Sequence, residues 1–185
     1  NMNLLAMDRK GVLWEVTRNG LIFKYNINTD SYQLVFQFKN KGPVIYTYID
    51  NNNNIWLCTP HSQYLYNIDN QNLTLLENSN KQPIGDIAQI NSNTYYIGTS
   101  RGVYAVKLQN KTLLKTPKKK LDNLNTQINK LYYHKENNKL FIGSFQKGVY
   151  VYDTQKGELQ LTNSGLNDIS INSIKALNEN EILIA

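Results

Sequence analysis

A short motif that recurs about every 40 residues constrains this chain more than any other feature. An aromatic residue stands three positions before a hydroxyl residue in "LWEVT", "IWLCT", "YYIGT" and "LFIGS", and a shorter copy follows in "ILIA". The recurring positions are Trp14, Trp56, Tyr96, Phe141 and Leu183, which gives steps of 42, 40, 45 and 42 residues. A period of roughly 40 to 45 residues is typical of a four-stranded propeller blade.

Each period has the same internal order. An alternating apolar run such as "INKLYYH" is followed by a polar turn, the motif strand, a second turn, a third strand such as "VYVYD", a third turn and a weaker fourth strand. Asn, Asp and Gly dominate the turns, and they tolerate the positive φ that tight hairpins need. The sequence therefore predicts an all-β fold, a β-propeller fragment of about four four-stranded antiparallel blades plus the first two strands of a fifth.

The composition agrees with this prediction. The 185 residues include 13 Tyr and many Asn, and no segment has the 3.6-residue periodicity of a long helix. The predicted blades occupy about 1–39, 40–79, 80–121, 122–165 and, in part, 166–185, with no second domain in the chain. Because propellers close with roughly 4 to 8 blades, four periods and a half indicate a piece of a longer propeller, with apolar faces on its terminal blades.

The recurring aromatic residues favour a structural role. Trp14, Trp56, Tyr96 and Phe141 are predicted to anchor each blade by packing between successive blades, and the alternative is that they stack on a ligand. The small residue two positions later in three of the copies is expected to let neighbouring sheets approach closely. At that position the single cysteine, Cys58, is expected to be a small buried hydrophobe and not a nucleophile.

The turns between the second and third strands of the blades are the predicted ligand-binding surface. In a propeller these turns share one face with the connections between blades, and ligands commonly bind there. Directed hydrogen-bond donors and one aromatic ring suit a sugar, although each residue taken alone is also explained as an exposed turn residue. The candidates are Arg18, Asn19, His61, Gln63, Arg101, Phe145, Gln146 and Lys147.

No catalytic or metal-binding motif is visible in the sequence. His61 and His134 occupy non-equivalent positions of the repeat, and no zinc, calcium-loop or phosphate-loop spacing occurs. We predict no cofactor and no metal. The net charge of +6 includes one basic run, "KTPKKKLDN", which is explained by a solvated loop or, alternatively, by a phosphate or nucleic-acid contact. No apolar run reaches the length of a membrane span.

The repeat resembles a known family. The pattern D-x-x-G-x-[IL]-W-[IL]-x-T-x-x-G-[LV]-x-x-[YF] of the two-component-regulator propeller repeat is approximated at "DRKGVLWEVTRNGLIFKY", "DNNNNIWLCTPHSQYLYN" and "NNKLFIGSFQKGVYVYD". Such repeats build the periplasmic sensor region of Bacteroides-type hybrid two-component systems. The resemblance implies an oligosaccharide ligand, a homodimer in the full-length protein, and membrane and histidine kinase segments outside this chain.

Three functions remain open from the sequence. The first is a non-catalytic, periplasmic ligand-sensing propeller that recognises an oligosaccharide and has no nucleic-acid partner. The second is a propeller that acts as a scaffold for protein interactions. The third is a propeller lyase or glycoside hydrolase, for which paired carboxylates at suitable positions are not recognisable.

Overall fold

The computed structural model describes residues 4–39, 42–77, 82–117, 121, 124–163, 165–166 and 168–185. Within these ranges every element with defined bounds is a β-strand, and the strands form four four-stranded antiparallel sheets and one two-stranded antiparallel sheet. The predicted all-β propeller class is confirmed. The chain divides into two compact units: the first contains residues 1–83 and 110–113, and the second contains residues 84–109 and 114–185.

The first unit contains two complete blades. Each is a meander in which every strand pairs antiparallel with the next one along the chain. Blade 1 consists of β1 (Leu4–Met7), β2 (Leu13–Val16), β3 (Leu21–Asn26) and β4 (Ser31–Gln37). Blade 2 consists of β5 (Tyr46–Ile49), β6 (Asn54–Cys58), β7 (Gln63–Asn67) and β8 (Leu73–Leu75).

The second unit contains blades 3, 4 and 5. Residues 110–113, at the start of the last strand of blade 3, belong to the first unit. Blade 3 consists of β9 (Ile84–Gln89), β10 (Thr94–Thr99), β11 (Gly102–Gln109) and β12 (Thr112–Thr116). Blade 4 consists of β13 (Ile128–His134), β14 (Lys139–Ser144), β15 (Val149–Asp153) and β16 (Glu158–Thr162). Blade 5 is a two-stranded sheet of β17 (Ile174–Ala176) and β18 (Ile182–Ile184).

In the first unit, a tryptophan in the second strand of each blade is bonded to the turn before that strand. Trp14 Nε1 donates to the Asp8 carboxylate at 3.0 Å, and Trp56 Nε1 donates to the Asp50 carboxylate at the same distance. Each aspartate also accepts two backbone N–H groups of its own turn, at 2.8 to 3.0 Å. We call this arrangement the Trp–Asp clamp, and it fixes the first hairpin of each blade.

The clamp differs in burial between the two blades. Asp50 is 1% exposed, whereas Asp8 lies partly in solvent. Burial acts to raise the pKa of Asp8, but the hydrogen bonds from the Trp14 indole and from the backbone N–H groups of Val12 and Lys10 lower it below its ordinary value. Trp14 belongs to a buried cluster that includes Val44 and Tyr66, so this anchor packs between blades 1 and 2.

The second unit joins its blades through glycine. A Cβ added at Gly98 of blade 3 would lie 2.6 Å from the Cγ2 of Ile128 in blade 4, and one added at Gly143 would lie 2.6 Å from the Cγ2 of Ile171. We call each such pair a Gly–Ile joint. Neither glycine can gain a side chain unless the isoleucine moves.

The anchors of the second unit lie in the same layers as these joints. Tyr96 is 3% exposed and packs with Tyr152 of blade 4, with ring centroids 6.1 Å apart. Phe141 is only partly buried, against Ile171 and Ile174. Its neighbouring sheet has two strands among the described residues, so less apolar surface covers it than covers Tyr96.

Polar contacts also tie the blades of the second unit together. Asp86 of blade 3 is 2% exposed, and its carboxylate accepts the backbone N–H of Leu131 at 2.8 Å and forms an ion pair with Lys130 Nζ at 2.8 Å. His134 is 2% exposed, and its Nε2 lies 2.9 Å from the carbonyl oxygen of Glu179. A carbonyl oxygen only accepts, so Nε2 carries the proton in this contact.

Candidate functional site

The turn between the second and third strands lies beside the segments that enter and leave each blade, and we call this the connection end of a blade. In the first unit, the N–H of Val44 donates to the carbonyl of Arg18 at 2.9 Å, and the N–H of Ile45 donates to that of Cys58 at 2.8 Å. In the second unit, the N–H of Phe145 donates to the carbonyl of Gln127 at 2.9 Å. Connections and turns are therefore held together as a surface within each unit.

The hydroxyl that ends the repeat motif fixes these turns. The Thr59 hydroxyl donates to the carbonyl of Ser62 at 3.0 Å and accepts the Ser62 N–H at 3.0 Å. Thr99 donates to the carbonyl of Gly102 at 3.1 Å, and Ser144 donates to that of Gly148 at 2.7 Å. In blade 1 the Thr17 hydroxyl accepts the N–H of Leu21 at 2.9 Å. The recurring Thr or Ser is thus the cap of the turn that follows it.

A pocket opens at the connection end in the first unit. Its volume is about 550 Å³. The walls come from the connection between blades 1 and 2 and from the β6–β7 turn of blade 2. The lining residues are Lys39, Gly42, Pro43, Thr59, Pro60, His61, Ser62 and Tyr64.

The pocket has one aromatic wall. The Tyr64 ring is partly buried and meets the Phe38 ring edge-on, with centroids 4.7 Å apart. Phe38 is itself 3% exposed, and its N–H donates to the carbonyl of Gly20 at 2.7 Å. Because Phe38 is held by packing and by this hydrogen bond, the Tyr64 ring rests on a fixed support.

The floor of the pocket is formed by a rigid turn. Thr59 is 3% exposed, and both its N–H and its hydroxyl donate to the carbonyl of Ser62. Pro60 restricts φ within the same turn. His61 is exposed and Ser62 partly exposed, so an imidazole and a hydroxyl face solvent from a backbone with little freedom. Together with the Lys39 ammonium, the pocket presents directed hydrogen-bonding groups beside an aromatic wall.

Two of the four candidates predicted in the first unit lie near this pocket without lining it, one lines it, and one is misplaced. His61 lines the pocket. Arg18 and Asn19 are exposed in the β2–β3 turn, where the Asn19 side-chain oxygen accepts from the Thr17 hydroxyl. The prediction that Gln63 lies on the exposed turn is wrong: Gln63 is 0% exposed, because β7 begins at this residue and pairs it with Cys58.

The candidates of the second unit lie on both sides of one connecting segment. Arg101 is exposed, and the next residue, Gly102, would bring an added Cβ within 2.0 Å of the carbonyl oxygen of Leu124. Lys147 Nζ donates to the carbonyl of Asn125 at 3.2 Å. The β10–β11 and β14–β15 turns therefore both contact the segment before blade 4.

Phe145 lies in a turn whose backbone is hydrogen-bonded to two neighbouring segments. Its side chain is 44% exposed, whereas its N–H is bonded to Gln127, and the N–H of Gln146 lies 3.3 Å from the Ser170 hydroxyl. Gln146 adopts a φ of +61°. An exposed ring on a fixed backbone suits a contact surface, and whether it binds a ligand stays a prediction.

Sequence reasoning missed most of the pocket. Lys39, Pro43, Ser62 and Tyr64 were not among the predicted residues, although "KNKGP" begins the connection that the propeller model places on this face. Tyr64 lies in β7 and not in the turn from which the candidates were drawn. The burial of β7 does not alternate, since Tyr64 is partly buried whereas Tyr66 is fully buried, so strand periodicity does not indicate which tyrosine reaches the pocket.

Cys58 adjoins the pocket turn but is not a reactive group. It is 0% exposed in β6, and burial raises the pKa of its thiol well above the ordinary range. Within the described ranges, no group of three or more His, Cys, Asp or Glu side chains is placed to hold a metal ion. Among the same residues, no helix has the length and apolar character needed to cross a bilayer.

Comparison with known proteins identifies the fold. No protein-family model matches the chain, and no curated protein matches it in sequence. Solved structures do match. PorZ of Porphyromonas gingivalis, an essential bacterial surface component of the type-IX secretion system, is 18% identical, with 98% of this chain and 30% of that chain covered and a TM-score of 0.73.

Two further structures show how widely the fold is shared. The extracellular domain of a putative hybrid two-component system from B. thetaiotaomicron is 21% identical, with 97% of this chain and 24% of that chain covered and a TM-score of 0.71. The β-propeller domain of Cps50 (Swd1) from Myceliophteria thermophila is 12% identical over 98% of this chain and 61% of that chain, also with a TM-score of 0.71. The chain spans about a quarter to three-fifths of the length of these structures.

Proposed function

We propose that this chain is part of the ligand-sensing propeller of a two-component sensor and that it recognises an oligosaccharide without catalysing a reaction. The sensor lies on the outer side of the inner membrane, in the periplasm, and acts as a homodimer in the full-length protein. The membrane span and histidine kinase lie in segments outside this chain. No nucleic acid is involved.

The observation that carries this proposal is the pocket beside His61. A pocket of about 550 Å³ accommodates one to two sugar rings, and the Tyr64 ring offers an apolar surface for a sugar face. The imidazole and hydroxyl groups around it provide the directed hydrogen bonds that sugar hydroxyls require. The shared propeller fold of the B. thetaiotaomicron extracellular domain supports the assignment to a sensor.

Signalling through such a site needs two states with different affinities. A ligand shifts the sensor only by the difference between its binding free energies in the two states. The lining of the pocket comes from the connection after blade 1 and from the β6–β7 turn and β7 of blade 2. A ligand in the pocket therefore contacts both the connection and blade 2 and is sensitive to their relative position.

Titration calorimetry of the chain against a panel of neutral and acidic oligosaccharides tests the proposal. We expect saturable binding of at least one panel member, and Tyr64→Ala should weaken it at least tenfold because the aromatic wall is lost. Tyr32→Ala is the matched control, since Tyr32 is 48% exposed in β4 and does not line the pocket.

Three results would contradict the proposal. Silence across the panel would favour a scaffold for protein interactions, and binding that Tyr64→Ala leaves intact would place the ligand elsewhere. Release of shorter sugars during the titration would contradict the non-catalytic assignment and favour a lyase or glycoside hydrolase.

A further inference from the structure

The aspartates of the first unit all lie at one end of its blades. Four aspartates lie in turns at the end opposite the pocket, in the β1–β2, β3–β4, β5–β6 and β7–β8 turns. They are Asp8, Asp30, Asp50 and Asp69. An antiparallel meander places these four turns at one end and the β2–β3 and β6–β7 turns at the other. Sequence position alone thus separates the acidic turns from the pocket.

The connection end of the same unit carries cations near the pocket. Lys39 lines the pocket and Arg18 is exposed in the neighbouring β2–β3 turn. The described carboxylate at this end is that of Glu77, which accepts the Thr112 hydroxyl at 3.1 Å and does not line the pocket. No Asp or Glu is found among the lining residues. The pocket therefore has a positive side chain and no negative one in its described walls.

Backbone hydrogen bonds hold the residue before Lys39 and a residue at the far end of the connection. Phe38, the residue before Lys39, is buried and is bonded to Gly20, while Val44 on the other side of the connection is bonded to Arg18. His61 follows Pro60 in the capped turn, and its N–H lies 3.4 Å from the Thr59 hydroxyl. Lys39 and His61 thus extend from two anchored segments toward one space, with the Tyr64 ring as the third wall.

We infer that the pocket binds an acidic oligosaccharide, whose carboxylate or sulfate pairs with the Lys39 ammonium and accepts a hydrogen bond from the His61 imidazole. The sugar ring lies on Tyr64, and Ser62 bonds to ring hydroxyls. This inference rests on the proposed function and specifies its ligand class. Carboxylate and sulfate share the chemistry that an ammonium recognises, namely negative charge on oxygens that accept several hydrogen bonds.

The experiment compares acidic ligands with neutral forms of the same sugars. The probes are tetragalacturonate with its methyl ester, for a carboxylate alone, and a chondroitin sulfate tetrasaccharide with its desulfated, carboxyl-reduced form, for a sulfate together with a carboxylate. We expect one acidic probe to bind the 185-residue chain at least tenfold more tightly than its neutral partner. The preference should shrink between 50 and 500 mM NaCl, because the Debye length falls from roughly 14 Å to about 4 Å.

Lys39→Met should remove most of that preference, because it weakens binding of the acidic probe far more than binding of its neutral partner. Lys10→Met is the matched control: it removes the same charge at the opposite end of blade 1, so the preference should persist. Far-ultraviolet circular dichroism and the melting temperature verify that both variants fold.

The outcomes separate this inference from the proposed function. Tight binding of neutral oligosaccharides without an acidic preference, or an acidic preference that Lys39→Met leaves intact, overturns the acidic ligand and leaves the sensor proposal standing. Absence of binding by all four probes overturns the acidic ligand, and silence of the wider neutral panel as well overturns the sensor proposal.

Discussion

The two units use the same repeat position for different purposes. In the first unit the anchors are tryptophans, and each indole is clamped to an aspartate of its own hairpin, as in Trp56 and Asp50. In the second unit the anchors are Tyr96 and Phe141, and the glycine two residues later receives an isoleucine of the next blade. The clamp stabilises a turn inside one blade, whereas the Gly–Ile joint sets the distance between two blades.

The difference shows that the repeat period determines which positions pack against the next blade. It does not determine which residue types provide that packing. In blade 1 the position of the glycine is taken by Val16, which is 1% exposed in the same cluster as Val44. Val16 can be buried at this position because the side chain that packs near it from the neighbouring segment is also a valine, Val44. Interiors are filled to the same density by different combinations of side chains.

The largest effect should come from breaking the buried clamp. Asp50→Ala removes the acceptor of the Trp56 indole and of the N–H groups of Asn52 and Asn54, and we expect a loss of about 3 kcal/mol in the free energy of unfolding. The measurement is urea unfolding followed by tryptophan fluorescence. Asp69→Ala removes the same charge from an exposed turn of blade 2 and should cost about 0.5 kcal/mol or less. Equal losses in the two variants would mean that the clamp adds no stability.

An intermediate effect should come from filling a Gly–Ile joint. Gly98→Ala places a methyl group against Ile128, and we expect a net loss of about 1 to 2 kcal/mol, after the gain from a less flexible unfolded chain. In an Ile128→Ala background the same substitution should become neutral or stabilising, and a double-mutant cycle by urea unfolding measures the coupling. Gly42→Ala is the control, because nothing lies within 4 Å of a Cβ added there. Additive losses in the cycle would refute direct contact at this joint.

The smallest effect concerns the partly exposed clamp of blade 1 and depends on pH. The pKa of Asp8 is lower in the folded chain than its unfolded value of about 3.9, so its carboxylate stabilises the fold above that pH and the contribution is lost as pH falls through the folded pKa. Asp8→Asn should cost about 1 kcal/mol at pH 6, and the difference from the wild type should shrink toward pH 2. Thermal melts at half-unit pH intervals provide the measurement, with Asp69→Asn as the comparison. A difference that grows in acid would contradict the assigned direction of the pKa.

The all-β class and the strand order were predictable because they depend on the positions of apolar residues and turns, which the sequence displays directly. The run "INKLYYH" coincides with β13, and "IGDIAQI" contains β9. The partners of polar groups were not predictable in the same way. The bond from Asp86 to Leu131 joins residues 45 positions apart, and no local pattern encodes which N–H will meet that carboxylate.

The site was predicted at the level of a surface and not of individual residues. Placing candidates in the turns after the second strands identified His61, because turn position follows from the repeat. Gln63 was misplaced by one residue, since the capped turn ends at Ser62 and Gln63 already pairs in a strand. Lys39 reaches the pocket from the connection after β4 and Tyr64 reaches it from β7, and the Tyr64 ring packs against Phe38, a tertiary contact that the sequence does not display.

Because Cys58 is buried, the labelling rate of the single thiol of the chain measures local opening of the strand that contains it. A maleimide or disulfide reagent can reach its sulfur only while β6 is open, so the rate of labelling reports how often that strand opens and no other cysteine contributes. Cys58 is followed directly by Thr59 of the pocket wall, so we expect a ligand in the pocket to slow the labelling of Cys58, which reports binding without any label on the ligand.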